Sequence, residues 1–157
     1  MLSYKIPEKG KKKMIEQDTI KLLRECDAGV KMGVESINSV IDHVKDNDFR
    51  FILNESKDRH SKLDHEIRAQ LDRFEDDGKD PSAMAKGMSA IKTNFMLGIN
   101  DTDKTVADLM TDGCNMGVKS LNRYLNQYEA ADEVSKDITK KLINLEEKLA
   151  VDIRQFL

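Results

Sequence analysis

The sequence predicts an all-α protein, a four-helix bundle built from two repeated helical hairpins. Three observations predict this fold. The 157 residues are 35% charged and include only two prolines, a composition typical of helices with solvated outer faces. Apolar residues recur every seven positions along four stretches, as expected of helices packed in a bundle. Two segments that lie 84 residues apart also share an uncommon motif.

The bulk properties exclude few partners. The net charge of −3 comes from acids and bases mixed along the chain, as on ordinary helix exteriors. No segment is long and apolar enough to cross a bilayer, and the first residues lack the apolar part of a signal peptide, so we expect a cytoplasmic protein. Cys26 and Cys114 lie inside helical patterns, and we expect both to be reduced core residues.

The chain divides into a basic arm, residues 1–14, and a bundle, residues 15–157. Pro7 and Gly10 oppose regular structure in the arm, and its lysines between residues 1 and 13 could contact a nucleic acid, although a solvated terminus is the commoner case. The bundle comprises hairpin one (15–76), a crossover (77–102) and hairpin two (103–157). A short crossover helix over 82–97 is predicted to carry Met84, Met88, Ile91 and Phe95 on one side.

Hairpin one contains a helix over about 15–45 and a second over about 48–75. The polar residues around Asp46 end the first helix and supply the cap of the second. The predicted inward rows are Leu23, Val30, Ile37 and Val44 with Cys26, Gly33 and Val40, then Leu53, His60, Ile67 and Phe74 with Phe49, Ser56 and Leu63.

Hairpin two contains a helix over about 103–129 and a last helix from about 133. The predicted inward residues are Ala107, Cys114, Leu121, Tyr128, Met110, Gly117 and Tyr124 on the third helix, and Val134, Ile138, Leu142, Leu145, Leu149, Ile153 and Phe156 on the fourth. Tyrosines and methionines at helical spacing, such as Tyr124, Tyr128, Met110 and Met116, are more often core residues than a redox or haem pocket.

An internal repeat is the strongest signal. At an offset of 84, Met-Gly-Val-Glu-Ser-Ile-Asn (32–38) aligns with Met-Gly-Val-Lys-Ser-Leu-Asn (116–122), and Gly29 aligns with Gly113. At an offset of 86, residues 62–71 align with 148–157. Amphipathic periodicity alone explains matched leucines but not this motif, so we expect a duplicated hairpin packed about a pseudo-two-fold axis.

The duplicated hairpin, the long second connection and the glycine in the middle of helices one and three resemble the ferritin-like superfamily. Leu-Leu-Arg-Glu-Cys-Asp-Ala-Gly (22–29) looks most like a small bacterial ferritin-like family of unassigned function that is distantly related to rubrerythrins. The resemblance covers residues 15–157. In metal-binding members of the superfamily, a Glu follows the glycine of helices one and three, and helices two and four each carry Glu-x-x-His.

The resemblance implies that the di-metal site has degenerated. The former ligand positions here hold Val30, Lys57, His60, Cys114, Ile143 and Glu146. Of the six ligand positions, only His60 keeps the residue type of the metal-binding members. Glu146 stands in place of the second histidine and is itself a potential ligand. Lysine and aliphatic residues do not compensate a buried dication, so no carboxylate-bridged di-iron site is expected.

Weaker metal candidates are His60, Asp64 and Glu146. His60 and Asp64 are four apart on one helix face, with His65 adjacent and His43 on the preceding helix. A polar His60 paired with Glu146 is the commoner arrangement. Because the repeat makes these two positions equivalent, we expect His60 and Glu146 to meet near the bundle centre.

We therefore expect a non-catalytic bundle, without a cofactor, that acts by self-association (most simply as a dimer) or by binding another protein. No nucleophile–base arrangement, phosphate-binding loop or Cys-x-x-Cys motif occurs. One alternative is an unconventional protein that binds or stores a transition metal through His60, Asp64, Glu146 and Cys114. Another resembles the DNA-protecting miniferritins, with the basic arm on DNA.

Overall fold

The computed structural model describes residues 4–81 and 102–157. These residues contain no strand and form four long helices: α1 (Glu8–Val40), α2 (Asn47–Arg73), α3 (Asp103–Gln127) and α4 (Glu133–Asp152). Short 3-10 turns, Ile41–His43 and Arg154–Phe156, follow α1 and α4. The crossover helix predicted over 82–97 lies outside the described residues, as does its row of Met84, Met88, Ile91 and Phe95.

The helices pack as two hairpins placed side by side. α1 packs along α2 and α3 along α4, while α2 also packs against α4. α1 contacts both α4 and α3, and its contact with α3 is the least extensive of these pairings. The all-helical bundle predicted from the sequence is therefore present, with its loosest side between α1 and α3.

The first helix begins at Glu8, seven residues before the predicted start. Pro7 occupies the cap position, where its fixed φ and missing N–H are compatible with the first turn. Gly10 lies inside the helix, where glycine is about 1 kcal/mol less favourable than alanine. Residues 8–14, half of the predicted basic arm, are thus helical; Pro7 precedes the helix, but the prediction that Gly10 opposes regular structure is wrong. Its lysines are exposed.

Aspartate and threonine side chains cap the later helices. The Asp46 carboxylate accepts hydrogen bonds from the backbone N–H groups of Asp48 (2.8 Å) and Phe49 (3.0 Å), as the sequence predicted. Thr102 and Asp132 accept equivalent bonds at the starts of α3 and α4. Each cap satisfies backbone donors that have no partner within the helix.

Each hairpin binds the turn of the other. Asp103 of α3 accepts the backbone N–H groups of Lys45 and Asp46, each at 2.8 Å. Thr19 of α1 accepts the backbone N–H of Asp132 at 2.8 Å. Thr19 and Asp103 are 84 residues apart, and Asp46 and Asp132 are 86 apart, which are the two offsets of the sequence repeat.

The predicted inward rows form the core. Most of their members are buried, in one apolar cluster around Ile37, Phe49 and Val106 and a second around Leu23, Ile67 and Leu142. Each fully buried side chain of this kind contributes about 1.5–3 kcal/mol. Val134 is an exception: it is 47% exposed, because it lies in the first turn of α4 and points away from the other helices.

Candidate functional site

A hydrogen-bonded pair of His60 and Glu146 lies at the centre of the bundle. His60 of α2 is completely buried, and its Nε2 is 2.8 Å from Oε1 of Glu146 on α4. The ring Nδ1 is 2.7 Å from the carbonyl oxygen of Ser56, one turn earlier on α2. The expectation that His60 and Glu146 meet is confirmed.

The hydrogen bonds define the protonation of this pair. A carbonyl oxygen only accepts, so Nδ1 of His60 carries a proton and donates it to Ser56. Burial by itself lowers the pKa of His60, but the hydrogen bond and the negative charge of Glu146, with the Ser56 carbonyl, outweigh it and raise the pKa above its ordinary value. With the ring protonated, His60 donates from Nε2 to the Glu146 carboxylate.

The pair forms the floor of a cavity of about 270 Å³ between α1 and α3. Its walls are mainly apolar, with glycines and methionines prominent. The lining residues from α1 are Glu25, Gly29, Met32, Gly33, Ser36 and Ile37; those from α3 are Leu109, Met110, Asp112, Gly113, Cys114, Met116, Gly117, Ser120, Leu121 and Tyr124; Leu142 and Leu149 complete the floor. The cavity thus occupies the side of the bundle where the helices pack least closely.

Glycines from both copies of the repeated motif shape the cavity. A methyl group at position 33 would lie 2.8 Å from two atoms of the His60 ring, so only glycine leaves the ring in its place. A methyl group at Gly117 would lie 3.4 Å from Oε2 of Glu146. At Gly113 no atom of the described residues lies within 4 Å, so a side chain there would meet none of them. Gly33 and Gly117 are equivalent in the repeat and contact the equivalent residues His60 and Glu146.

Both cysteines are protonated thiols. Cys114 lines the cavity; burial raises its pKa, and so do the charge of Glu146 and the hydrogen bond to it. Burial raises the pKa of Cys26 to about 12, and its sulfur lies 3.1 Å from the hydroxyl oxygen of Thr139. Because the thiolate is the nucleophile and the metal ligand, neither cysteine is suited to those roles. Both are free and buried, as predicted.

The former ligand positions do not converge on one site. Val30 and Ile143 belong to an apolar cluster of the core, and Lys57 lies partly exposed on α2. His60, Cys114 and Glu146 line the cavity. Among residues 4–81 and 102–157, no group of three or more His, Cys, Asp and Glu side chains is arranged to hold a metal ion.

Within the described residues, no hydrogen bond joins the remaining metal candidates to the pair. Asp64 is partly buried, and its Oδ1 has no hydrogen-bond partner among the described residues. His43 and His65 are exposed. The structure therefore joins His60 with Glu146, and in the described part of the chain Asp64 belongs to no group of three or more potential metal ligands.

A smaller polar group lies at the edge of the cavity. Lys79 Nζ is 2.6 Å from Oε1 of Glu25, and Tyr124 also hydrogen-bonds with Glu25. Burial raises the pKa of Tyr124, as does the neighbouring charge of Glu25. Tyr128 stacks on Tyr124 with ring centroids 6.3 Å apart. The two tyrosines are only partly buried, so the prediction that they fill the core holds in part.

Several lining residues were not identified from the sequence as site residues. Glu25, Asp112, Ser36 and Ser120 all line the cavity. Ser36 and Ser120 occupy equivalent positions of the repeated motif, and this equivalence was the sequence feature that could have indicated them as site residues. Met116, predicted to be in the core, is 65% exposed, because it lies on the open side of α3.

No helix within residues 4–81 and 102–157 has the length and apolar character required to span a membrane. Comparisons with protein-family models, with curated proteins and with solved structures found no match.

Proposed function

We propose that this protein is a non-catalytic binding protein that holds a small, mainly apolar molecule in the cavity between α1 and α3. The observation that carries the proposal is a cavity of about 270 Å³ with apolar walls and one buried ion pair at its floor. Protein interiors are otherwise close-packed, because unfilled space forfeits dispersion contacts. Ligand sites commonly combine apolar walls with a few fixed polar groups.

The polar groups of the cavity favour binding over catalysis. Both ring nitrogens of His60 are engaged, one by Ser56 and the other by Glu146. The thiol of Cys114 has a raised pKa and is protonated. The deepest part of the cavity thus offers hydrogen-bonding groups but neither an activated nucleophile nor an uncommitted imidazole base.

We also propose a ferritin-like origin by duplication of one hairpin. Equivalent contacts support the duplication: Gly33 against His60 and Gly117 against Glu146. Three of the six former ligand positions line the cavity, namely His60, Cys114 and Glu146. On this proposal an apolar ligand site replaced a metal site in the same part of the bundle.

Titration with indole tests the binding function, because indole is compact, apolar and neutral. We expect saturable binding in ligand-observed NMR and a higher Tm with increasing indole, since a ligand that binds only the folded state stabilises it. Gly113→Phe should abolish the binding, because position 113 opens onto the cavity.

Asn115→Phe is the matched control, since Asn115 is exposed on α3 and outside the cavity lining. It should leave the affinity for indole unchanged. Absence of saturable binding, or equal loss in both variants, would contradict the proposed function.

Self-association is a second candidate function, supported by the exposed start of α1. The α3–α4 turn binds α1 at Asp18 and Thr19, so residues 8–17 extend about 15 Å past that turn. Met14 and Ile15 there are 45% and 44% exposed. We propose that this segment pairs with its copy in a second chain. Sedimentation equilibrium should show a dimer that Met14→Glu with Ile15→Glu dissociates; a wild-type monomer would contradict it.

A further inference from the structure

The geometry points to an amphipathic organic cation as the ligand of the cavity, with an apolar body in the cavity and an amine nitrogen against Glu146. This inference rests on the proposed binding function and specifies the chemical class of ligand. It is carried by the signs of the charges in the cavity and by the position of the Glu146 carboxylate oxygen that His60 does not bind.

Most charged side chains among the described lining residues are acidic. They include three carboxylates, from Glu25, Asp112 and Glu146, and no lysine or arginine. The imidazole of His60 is the one cationic group among these described residues, and its two N–H groups donate to Ser56 and Glu146. A ligand carboxylate would therefore meet no free cationic donor on these walls, and the charge of Asp112 would repel it.

Glu146 presents one oxygen to the cavity. Its Oε1 accepts from His60, while Oε2 lies toward Gly117, where an added methyl group would be 3.4 Å away. An ionised carboxylate only accepts hydrogen bonds, so it selects a ligand that donates. An ammonium bonded to Oε2 would be closer to the carboxylate than to the imidazolium behind it. A charge-assisted bond of this kind is about twice as strong as a neutral one.

The other cavity groups suit a cation with an apolar body. Met32 and Met110 offer polarisable sulfur atoms. Tyr124 offers an aromatic face, which attracts cations. Asp112 adds exposed negative charge, whereas Glu25 is already paired with Lys79 and contributes less. Neutral apolar walls with acidic groups at both the floor and the rim therefore distinguish an amine from a carboxylic acid of the same size.

Three probes that share one ring test the inference: tryptamine, indole and indole-3-propionate. We expect tryptamine to bind the full-length protein at least about tenfold more tightly than indole-3-propionate at neutral pH, with Kd measured by calorimetry or NMR. Glu146→Gln keeps the shape of the side chain and removes its charge. It should weaken the binding of tryptamine about tenfold and thereby remove most of the preference for tryptamine over indole-3-propionate.

Glu147→Gln is the matched control, because Glu147 is the adjacent carboxylate and is exposed. It should change neither affinity. Equal binding of the three probes, or tightest binding of indole-3-propionate, would overturn the cation inference while the binding function stands. Failure of all three probes to bind would overturn both. The comparison of probes on the unaltered protein does not depend on how well Glu146→Gln folds.

Discussion

Two buried ionic centres of this bundle differ in how completely the protein encloses them. The Asp27 side chain has no exposed surface and accepts from Lys31 Nζ (2.9 Å), Arg68 Nη2 (3.1 Å) and the backbone N–H of Lys79 (3.0 Å). Its donors come from α1, α2 and the segment after α2. At the other centre, His60 and Glu146 bond each other, and both also line the cavity.

A glycine adjoins each centre and shows the same difference. Gly78 has φ of 84°, and a methyl group there would overlap the Asp27 carboxylate, so the loop closes tightly over that charge. Gly33 lies against His60 and also lines the cavity. A buried charge with protein donors all round it stabilises the fold, whereas a buried charge with one open side is available to a ligand.

The largest expected effect on stability comes from Asp27→Ala. It removes the acceptor for three donors, and we expect the free energy of unfolding to fall by about 3 kcal/mol, mainly because the Lys79 N–H and the guanidinium of Arg68 lose their partner. Urea unfolding measures this loss in the free energy of unfolding. Asp58→Ala, at an exposed position of α2, is the control and should change stability by less than about 0.5 kcal/mol. A loss for Asp27→Ala no larger than that of the control would show that this centre is not structural.

An intermediate effect is expected from His60→Leu. It leaves the Glu146 carboxylate without its donor, and we expect a loss of about 2 kcal/mol, moderated because the open cavity gives that carboxylate access to water. The double variant His60→Leu with Glu146→Leu should recover most of the loss, because it removes both charges. Unchanged stability in the single variant would show that the pair contributes nothing to the fold.

The pH dependence of this pair has a definite sign. The pKa of His60 is raised in the folded state, so the protonated ring stabilises the fold. That contribution is fully present below the unfolded-state pKa of about 6.5 and is lost as the pH rises through the higher folded-state pKa. The stability of the wild type relative to the double variant should therefore be greatest at about pH 5.5 and decline toward pH 9. A difference that grows with pH would contradict the assignment.

The smallest effect separates two glycines of the repeat. Gly33→Ala places a methyl group 2.8 Å from the His60 ring and should destabilise the protein by about 1 kcal/mol despite the better helix propensity of alanine. Gly113→Ala gains the same propensity in open space and should stabilise by up to about 1 kcal/mol. Thermal or urea unfolding compares the stabilities of the two variants. Equal changes in the free energy of unfolding would mean that Gly33 does not confine the His60 ring.

The four long helices and most of their inward faces could be predicted from the amino-acid sequence. Rows such as Leu23, Val30 and Ile37 are readable because helical periodicity depends only on local geometry. The cap at Asp46 is local in the same way. The contact between His60 and Glu146 was predictable although they are 86 residues apart, because the repeat relates their positions.

The start of α1, the role of Asp27 and the existence of the cavity could not be predicted in this way. Pro7 reads as a breaker until its place at the cap is known. Asp27 directly follows Cys26 of the apolar row, and its burial depends on Arg68 and the Lys79 backbone folding over it. The cavity depends on the separation of α1 from α3, which many packing contacts set jointly and no local pattern encodes.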